Sequence, residues 1–152
     1  MLHKENVMIP GTIFIASDHA GFTLKQALHQ YLEDKGWKVE DLGVYSLESC
    51  DYPLFAHRLC QEVLRTGQKG ILICGTGVGM SIAANRHKGI RAALCTHEFH
   101  ASATRAHNDA NVLCLGQRVT APGLACLLAD IFLNTEFEGG RHQQRVELLD
   151  PA

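Results

Sequence analysis

Gly70-Ile71-Leu72-Ile73-Cys74-Gly75-Thr76-Gly77-Val78-Gly79 is the stretch that decides the fold. Its first half is an unbroken apolar run. Such runs, without polar alternation, suit strands covered on both faces of a parallel sheet. Its second half sets glycines at alternate positions, where a strand passes into the next helix. That spacing lets the backbone approach a ligand and turns several N–H groups inward at the start of a helix, where negative charge is favoured. One glycine would suffice for a tight turn, so three point to a ligand. Two familiar phosphate loops do not fit: G-x-G-x-x-G requires glycine where Met80 stands, and the P-loop ending Gly-Lys-Ser/Thr is absent.

The flanking chain repeats the pattern. Thr12 to Ala16, Ile90 to Cys95 and Val112 to Leu115 are further short apolar runs, and Trp37 to Leu42 alternates like a weaker edge strand. Between them Leu24, Leu28, Tyr31 and Leu32 share one helical face, and Gly36 stops the helix. Phe55, Leu59 and Val63 repeat after Pro53, a good first-turn residue. Leu124, Leu127, Leu128, Ile131 and Phe132 form a stripe after Pro122, and the polar tail from Asn134 is expected to end in a short helix. Alternating strands and helices predict an α/β fold, a sheet sandwiched between helices. No repeat or linker divides it, so residues 12–152 are expected to be one domain and residues 1–11 a flexible extension. If the second and third strands flank the first on opposite sides, the carboxyl ends of strands one and three border the ligand crevice. Ser17-Asp18-His19-Ala20-Gly21 and Cys74 to Gly79 then face each other.

Composition sets outer limits. The chain has 152 residues, 20% of them charged, and a net charge of −2, which argues against a broad nucleic-acid surface. No apolar run approaches the roughly 18–20 residues of a membrane span. The start lacks the features of a secretory signal, so a cytoplasmic protein is expected. The six cysteines form no C-x-x-C pair, so redox and zinc-ribbon signatures are missing. Cys95, Cys114 and Cys126 read as small buried hydrophobes. Cys74 differs: at a helix start among backbone donors its thiolate is favoured, suiting it as nucleophile or general base. Buried strand-end packing is the plain alternative.

Asp18 and His19 are an acid and an imidazole in the same crevice, able to shuttle protons or bind hydroxyl groups and phosphate. His97-Glu98-Phe99-His100 is one residue short of H-E-x-x-H, and no metal is called for. His107-Asn108-Asp109 precedes the last strand and should lie at its amino end, away from Cys74. If His107 is catalytic, a neighbouring subunit must bring it to the crevice. Arg118 follows the last strand, and Arg141 and Arg145 share a face if the tail is helical. Guanidinium forks match phosphate oxygens, although a solvated basic tail explains the pair equally well.

Together the segments resemble the type B ribose-5-phosphate isomerases, grouped with the galactose-6-phosphate isomerase subunits. The matching pieces are Asp18-His19-Ala20-Gly21-Phe22, Asp51-Tyr52-Pro53, Gly70 to Gly79, Arg105-Ala106-His107-Asn108-Asp109-Ala110-Asn111-Val112 and Glu138-Gly139-Gly140-Arg141-His142-Gln143-Gln144-Arg145-Val146. They span nearly the whole chain. The resemblance implies a three-layer, Rossmann-like α/β/α sandwich with a five-stranded parallel sheet of order 2-1-3-5-4. It implies an aldose–ketose isomerase that interconverts ribose 5-phosphate and ribulose 5-phosphate through a cis-enediolate, within the non-oxidative pentose phosphate pathway. No cofactor or metal is implied. The partners are the sugar phosphate and a second copy in a homodimer or tetramer, with the active site at the subunit interface. Cys74 matches the base and His107 the ring-opening acid, with Asp18 and Thr76 beside them. His19, Gly75, Gly77, Val78, Gly79, Asn108, Arg118, Arg141 and Arg145 match substrate-binding positions. Tyr52 is expected to line the crevice without chemistry.

Three other readings compete. A six-carbon sugar phosphate, such as allose or galactose 6-phosphate, would use the same chemistry. A nucleotide-binding module lacks its motifs, and a non-catalytic partner subunit would not need Asp18, Cys74, His107, Arg141 and Arg145 on one chain.

Overall fold

A computed structural model describes residues 11–152; the ten residues ahead of Gly11, on which the expected extension falls, lie outside them. The elements run β1 (Thr12–Ser17), a 3-10 turn (His19–Gly21), α1 (Phe22–Asp34), β2 (Lys38–Asp41), α2 (Tyr52–Thr66), β3 (Gly70–Cys74), α3 (Val78–Ala84), β4 (Ala92–Leu94), α4 (Glu98–Asn108), β5 (Val112–Gly116), α5 (Pro122–Asn134) and α6 (Arg141–Glu147). The strands form one parallel sheet of order β2-β1-β3-β5-β4. This is the predicted Rossmann-like sandwich, with the order reversing between β1 and β3.

Strand alternation sorts the core into two layers. Ile13, Ile15, Ile71, Ile73, Leu113 and Leu115 face α1 and α5, meeting Leu24, Leu28, Leu32, Leu128 and Phe132. Phe14, Ala16, Leu72, Cys74, Val112 and Cys114 face α2 and α3, meeting Leu59, Val63, Met80 and Ala84. Both faces of the central strands are buried, and that is why their sequence shows no polar alternation.

The helices start and stop where their sequence dictates. Pro53 and Pro122 sit in the first turns of α2 and α5, and Gly67 ends α2 in the left-handed conformation (φ 74°). Three details differ from the sequence reading. β4 is only three residues long, because Ile90 closes a turn on the His87 carbonyl and the Arg91 N–H turns to the Asn111 side chain. Leu127 stands exposed, so the α5 stripe is narrower than predicted. Cys126 is half-buried, while Cys95 and Cys114 are buried as expected; all six thiols are free. No helix among the described residues is long and apolar enough to cross a membrane.

Candidate active site

The carboxyl ends of β1 and β3 border a crevice of about 240 Å³ lined by Asp18, His19, Ala20, Tyr52, Cys74, Gly75, Thr76, Gly79 and Arg118. Its floor is the loop from β3 into α3. Cys74, 5% exposed, accepts a hydrogen bond at Sγ from the Gly77 N–H at 3.1 Å. The Val78 N–H donates to Thr76 Oγ1 at 3.2 Å, which leaves the Thr76 hydroxyl proton free to point elsewhere. Gly77 can hold this turn because its φ is +81° and because it has no Cβ, which would lie 2.9 Å from the Leu115 carbonyl carbon.

The opposite wall comes from the end of β1. Asp18 is buried, and its Oδ1 accepts from the Gly21 N–H at 3.1 Å, capping the 3-10 turn. Capping engages one carboxylate oxygen. Gly21 is required here because a Cβ would lie 2.5 Å from the Ile73 carbonyl oxygen. His19 Nδ1 accepts the Cys50 N–H at 3.2 Å, so a neutral ring carries its proton on Nε2. Nothing in the sequence around Cys50 announces this contact, which spans 31 positions. The loop that carries Cys50 is itself anchored by Lys25. This fully buried ammonium reaches Asp41 Oδ1 at 2.7 Å and the Val44 carbonyl, and burial pulls its pKa down.

Arg118 closes the third side. Its N–H donates to the Gly75 carbonyl at 2.9 Å, and its guanidinium lies so close to Gly75 that a Cβ there would sit 2.9 Å from Nη1. Gln117, one residue earlier, accepts the Leu24 N–H through Oε1 at 2.9 Å and joins this corner to α1. Tyr52 packs its ring over Gly79.

His107, Asn108, Arg141 and Arg145 are not in this crevice. Gly70 pairs with Val112 in the sheet register, so the amino end of β5 lies beside the amino end of β3. Cys74 is four residues further along β3, roughly 13 Å away at about 3.3 Å per residue. His107 and Asn108 end α4 just before β5, on the far side of that distance. Asn108 instead lines a separate depression with Arg91, Thr104 and Asp150. Arg141 and Arg145 lie one turn apart on α6, both exposed.

This second group is built by α4, α6 and the loop before α6. Arg105 is buried under the end of α4, donating to Asp109 Oδ1 (2.8 Å), the Ala110 carbonyl (2.6 Å) and the Thr135 carbonyl (3.2 Å). Asp109 then turns the chain in the left-handed conformation, φ 48°. His107 stacks on buried His142, with ring centroids 4.6 Å apart and planes inclined by 15°. The sequence reading passed over His142: 35 positions separate the two histidines, and no periodicity links them. His97 and His100 stack on each other on the surface, with ring centroids 3.9 Å apart.

Residues 13–149 match the family described as Ribose/Galactose Isomerase. Ribose-5-phosphate isomerase B of Escherichia coli is 46% identical over 138 residues, covering 90% of this chain and 93% of that one. The crystal structure of a ribose 5-phosphate isomerase from Thermotoga maritima superposes with a TM-score of 0.91 at 51% identity, over 93% of this chain and 98% of that chain. Ribose-5-phosphate isomerase B from Mycoplasma genitalium, solved with bound ribulose-5-phosphate, gives 0.88 at 44% identity, over 91% and 93%. Matched along nearly all of its length in sequence and in fold, the chain belongs to the ribose/galactose isomerase family.

Proposed function

We propose that the protein interconverts ribose 5-phosphate and ribulose 5-phosphate, with Cys74 as the base. The single observation that carries this reading is the Gly77 N–H donating to Cys74 Sγ at the floor of a crevice walled by Asp18, His19 and Arg118. The relatives are named for this reaction. The sugar opens first: an acid gives a proton to the ring oxygen while the C1 hydroxyl loses one. The Cys74 thiolate then removes the proton from C2, forming a cis-enediolate, and the thiol, its proton exchanged with solvent, protonates C1. A proton passes between the oxygens of C2 and C1, completing the isomerisation. Amides of the Gly75–Gly79 loop, with the Thr76 hydroxyl, stabilise the enediolate; losing one such donor typically costs about 2.7–4 kcal/mol. His19 and Arg118 hold the phosphate or its neighbouring hydroxyl groups and align C1 and C2.

Within one chain His107, the ring-opening acid in this reading, lies outside the crevice; a second copy supplies it, together with Asn108, Arg141 and Arg145. Leu54, Val78 and Ile82 stand exposed on α2 and α3 and offer apolar surface to that second copy. A homodimer is therefore the smallest active unit, and the reaction belongs to the non-oxidative pentose phosphate pathway.

The test is a proton NMR time course of ribose 5-phosphate in heavy water with a strong chelator present. Turnover with one deuterium incorporated is expected. Cys74→Ala should abolish deuterium uptake while calorimetry still registers substrate binding; wild-type uptake in that variant overturns the assignment of the base. The ratio of kcat/KM on five- and six-carbon sugar phosphates ranks the substrates.

A further inference from the structure

Among the described residues, one cluster gathers three metal-ligating side chains: His107 from the last turn of α4, Glu138 from the loop after α5, and His142 from the first turn of α6. One donor atom from each lies within 4.8 Å of the other two. The cluster is held by backbone and by burial. The Glu138 N–H donates to the Ala106 carbonyl at 3.0 Å, and the His142 N–H to the Gly139 carbonyl at 3.0 Å. His142 is 8% exposed, packed flat against His107, with Nε2 3.5 Å from Glu138 Oε2. The other close histidine pairs, His57–His87 and His97–His100, gather no third donor among the described residues.

Two imidazoles and one carboxylate form the ligand set of zinc sites that leave a fourth position open. Tetrahedral bonds of about 2.0–2.1 Å put ligand atoms about 3.3 Å apart, so the cluster must contract by at most about 1.5 Å. Glu138 is exposed and His107 only half-buried, so their side chains can turn inward while His142 stays in place. Imidazole nitrogen selects zinc-class ions over magnesium or calcium.

We propose that His107, Glu138 and His142 bind a zinc-class divalent cation, and that the bound ion inhibits the enzyme. The metal takes the lone pair of one ring nitrogen of His107 and displaces the acidic proton of the imidazolium to solvent. The histidine keeps only its other ring N–H, too weak an acid to protonate the sugar ring oxygen. Binding follows from the cluster alone; the inhibitory consequence rests on the function proposed above.

The experiment titrates the full-length, metal-free protein with Zn²⁺ in competition with a chromophoric chelator. One ion per chain is expected. Glu138→Gln and His142→Gln should each weaken it by about tenfold or more, and the control His57→Gln should not. Circular dichroism of each variant reports folding, and exposed Glu138 supplies a variant that does not disturb the core. No binding at one ion per chain, or binding equally tight in Glu138→Gln, overturns the site. Turnover of ribose 5-phosphate should fall at least about tenfold when wild-type protein is saturated with Zn²⁺, and recover on chelation. Undiminished turnover at saturation overturns the inhibition. A protein that binds Zn²⁺ in this variant-dependent way yet isomerises no sugar phosphate overturns the proposed function and leaves the site standing.

Discussion

Cys74 ends a buried strand in a half-turn where its sulfur meets an amide instead of a side chain. Everything about that meeting depends on Gly77. Gly77→Ala would place a methyl group at φ +81°, 2.6 Å from Leu94 Cδ1 and 2.9 Å from the Leu115 carbonyl carbon. The left-handed backbone alone costs roughly 1–2 kcal/mol. We expect chemical denaturation to show a loss of about 2 kcal/mol or more, and isomerase activity to fall with it, because the amide would leave the sulfur. The glycine spacing was legible as a loop built for close approach. Its second cause, the crowding by β5, was not, because Leu115 is 38 positions away. His19 makes the same point: the residue stood out in the sequence, whereas its Nδ1 partner, the Cys50 amide, became visible only in the fold.

At the scale of elements, the end of α4 is the most informative case. Its position at the amino end of β5 could be read from the sequence. The anchor beneath it could not. Arg105 is 6% exposed and joins α4 to the Asp109 turn and to Thr135 after α5. A helix residue of this type is ordinarily solvated. Arg105→Leu would leave the Ala110 and Thr135 carbonyls without this donor. A buried polar group stripped of its partner costs about 1–3 kcal/mol. We expect urea unfolding of Arg105→Leu to show a loss of about 2 kcal/mol or more, and the His107–His142 stack to loosen, visible as averaged imidazole resonances in NMR spectra.

At the scale of the whole molecule, burial makes stability fall in alkali. Burial pushes the Cys60 thiol up to about 12, the Cys95 thiol up to about 11 and the Cys114 thiol well above its usual 9.0. Above pH 9 the unfolded chain releases these protons while the native chain keeps them. The native state then binds more protons, and stability falls as pH rises, by about 1.4 kcal/mol per pH unit for each thiol. Urea midpoints should therefore drop between pH 9 and 11, and Cys114→Ala should drop less steeply. Assembly offers a second measurement. If two copies share each crevice, mixing inactive Cys74→Ala with inactive His107→Asn, unfolding them and refolding them together should restore roughly a quarter of wild-type activity, because half the dimers carry one intact site of two. No recovery would show that each crevice draws on one chain alone. The sequence by itself determined the layers and the order in which strands and helices alternate; the crevice between the ends of β1 and β3 followed once the strand order implied by the family resemblance was granted. The layers and the alternation follow from periodicity and turn chemistry, which are local or nearly so. Only the tertiary structure decided that His107 stacks on His142, that Lys25 is buried, and that Arg105 is a buried brace. These outcomes depend on register and packing between segments far apart in the chain, and no short-range pattern carries that information.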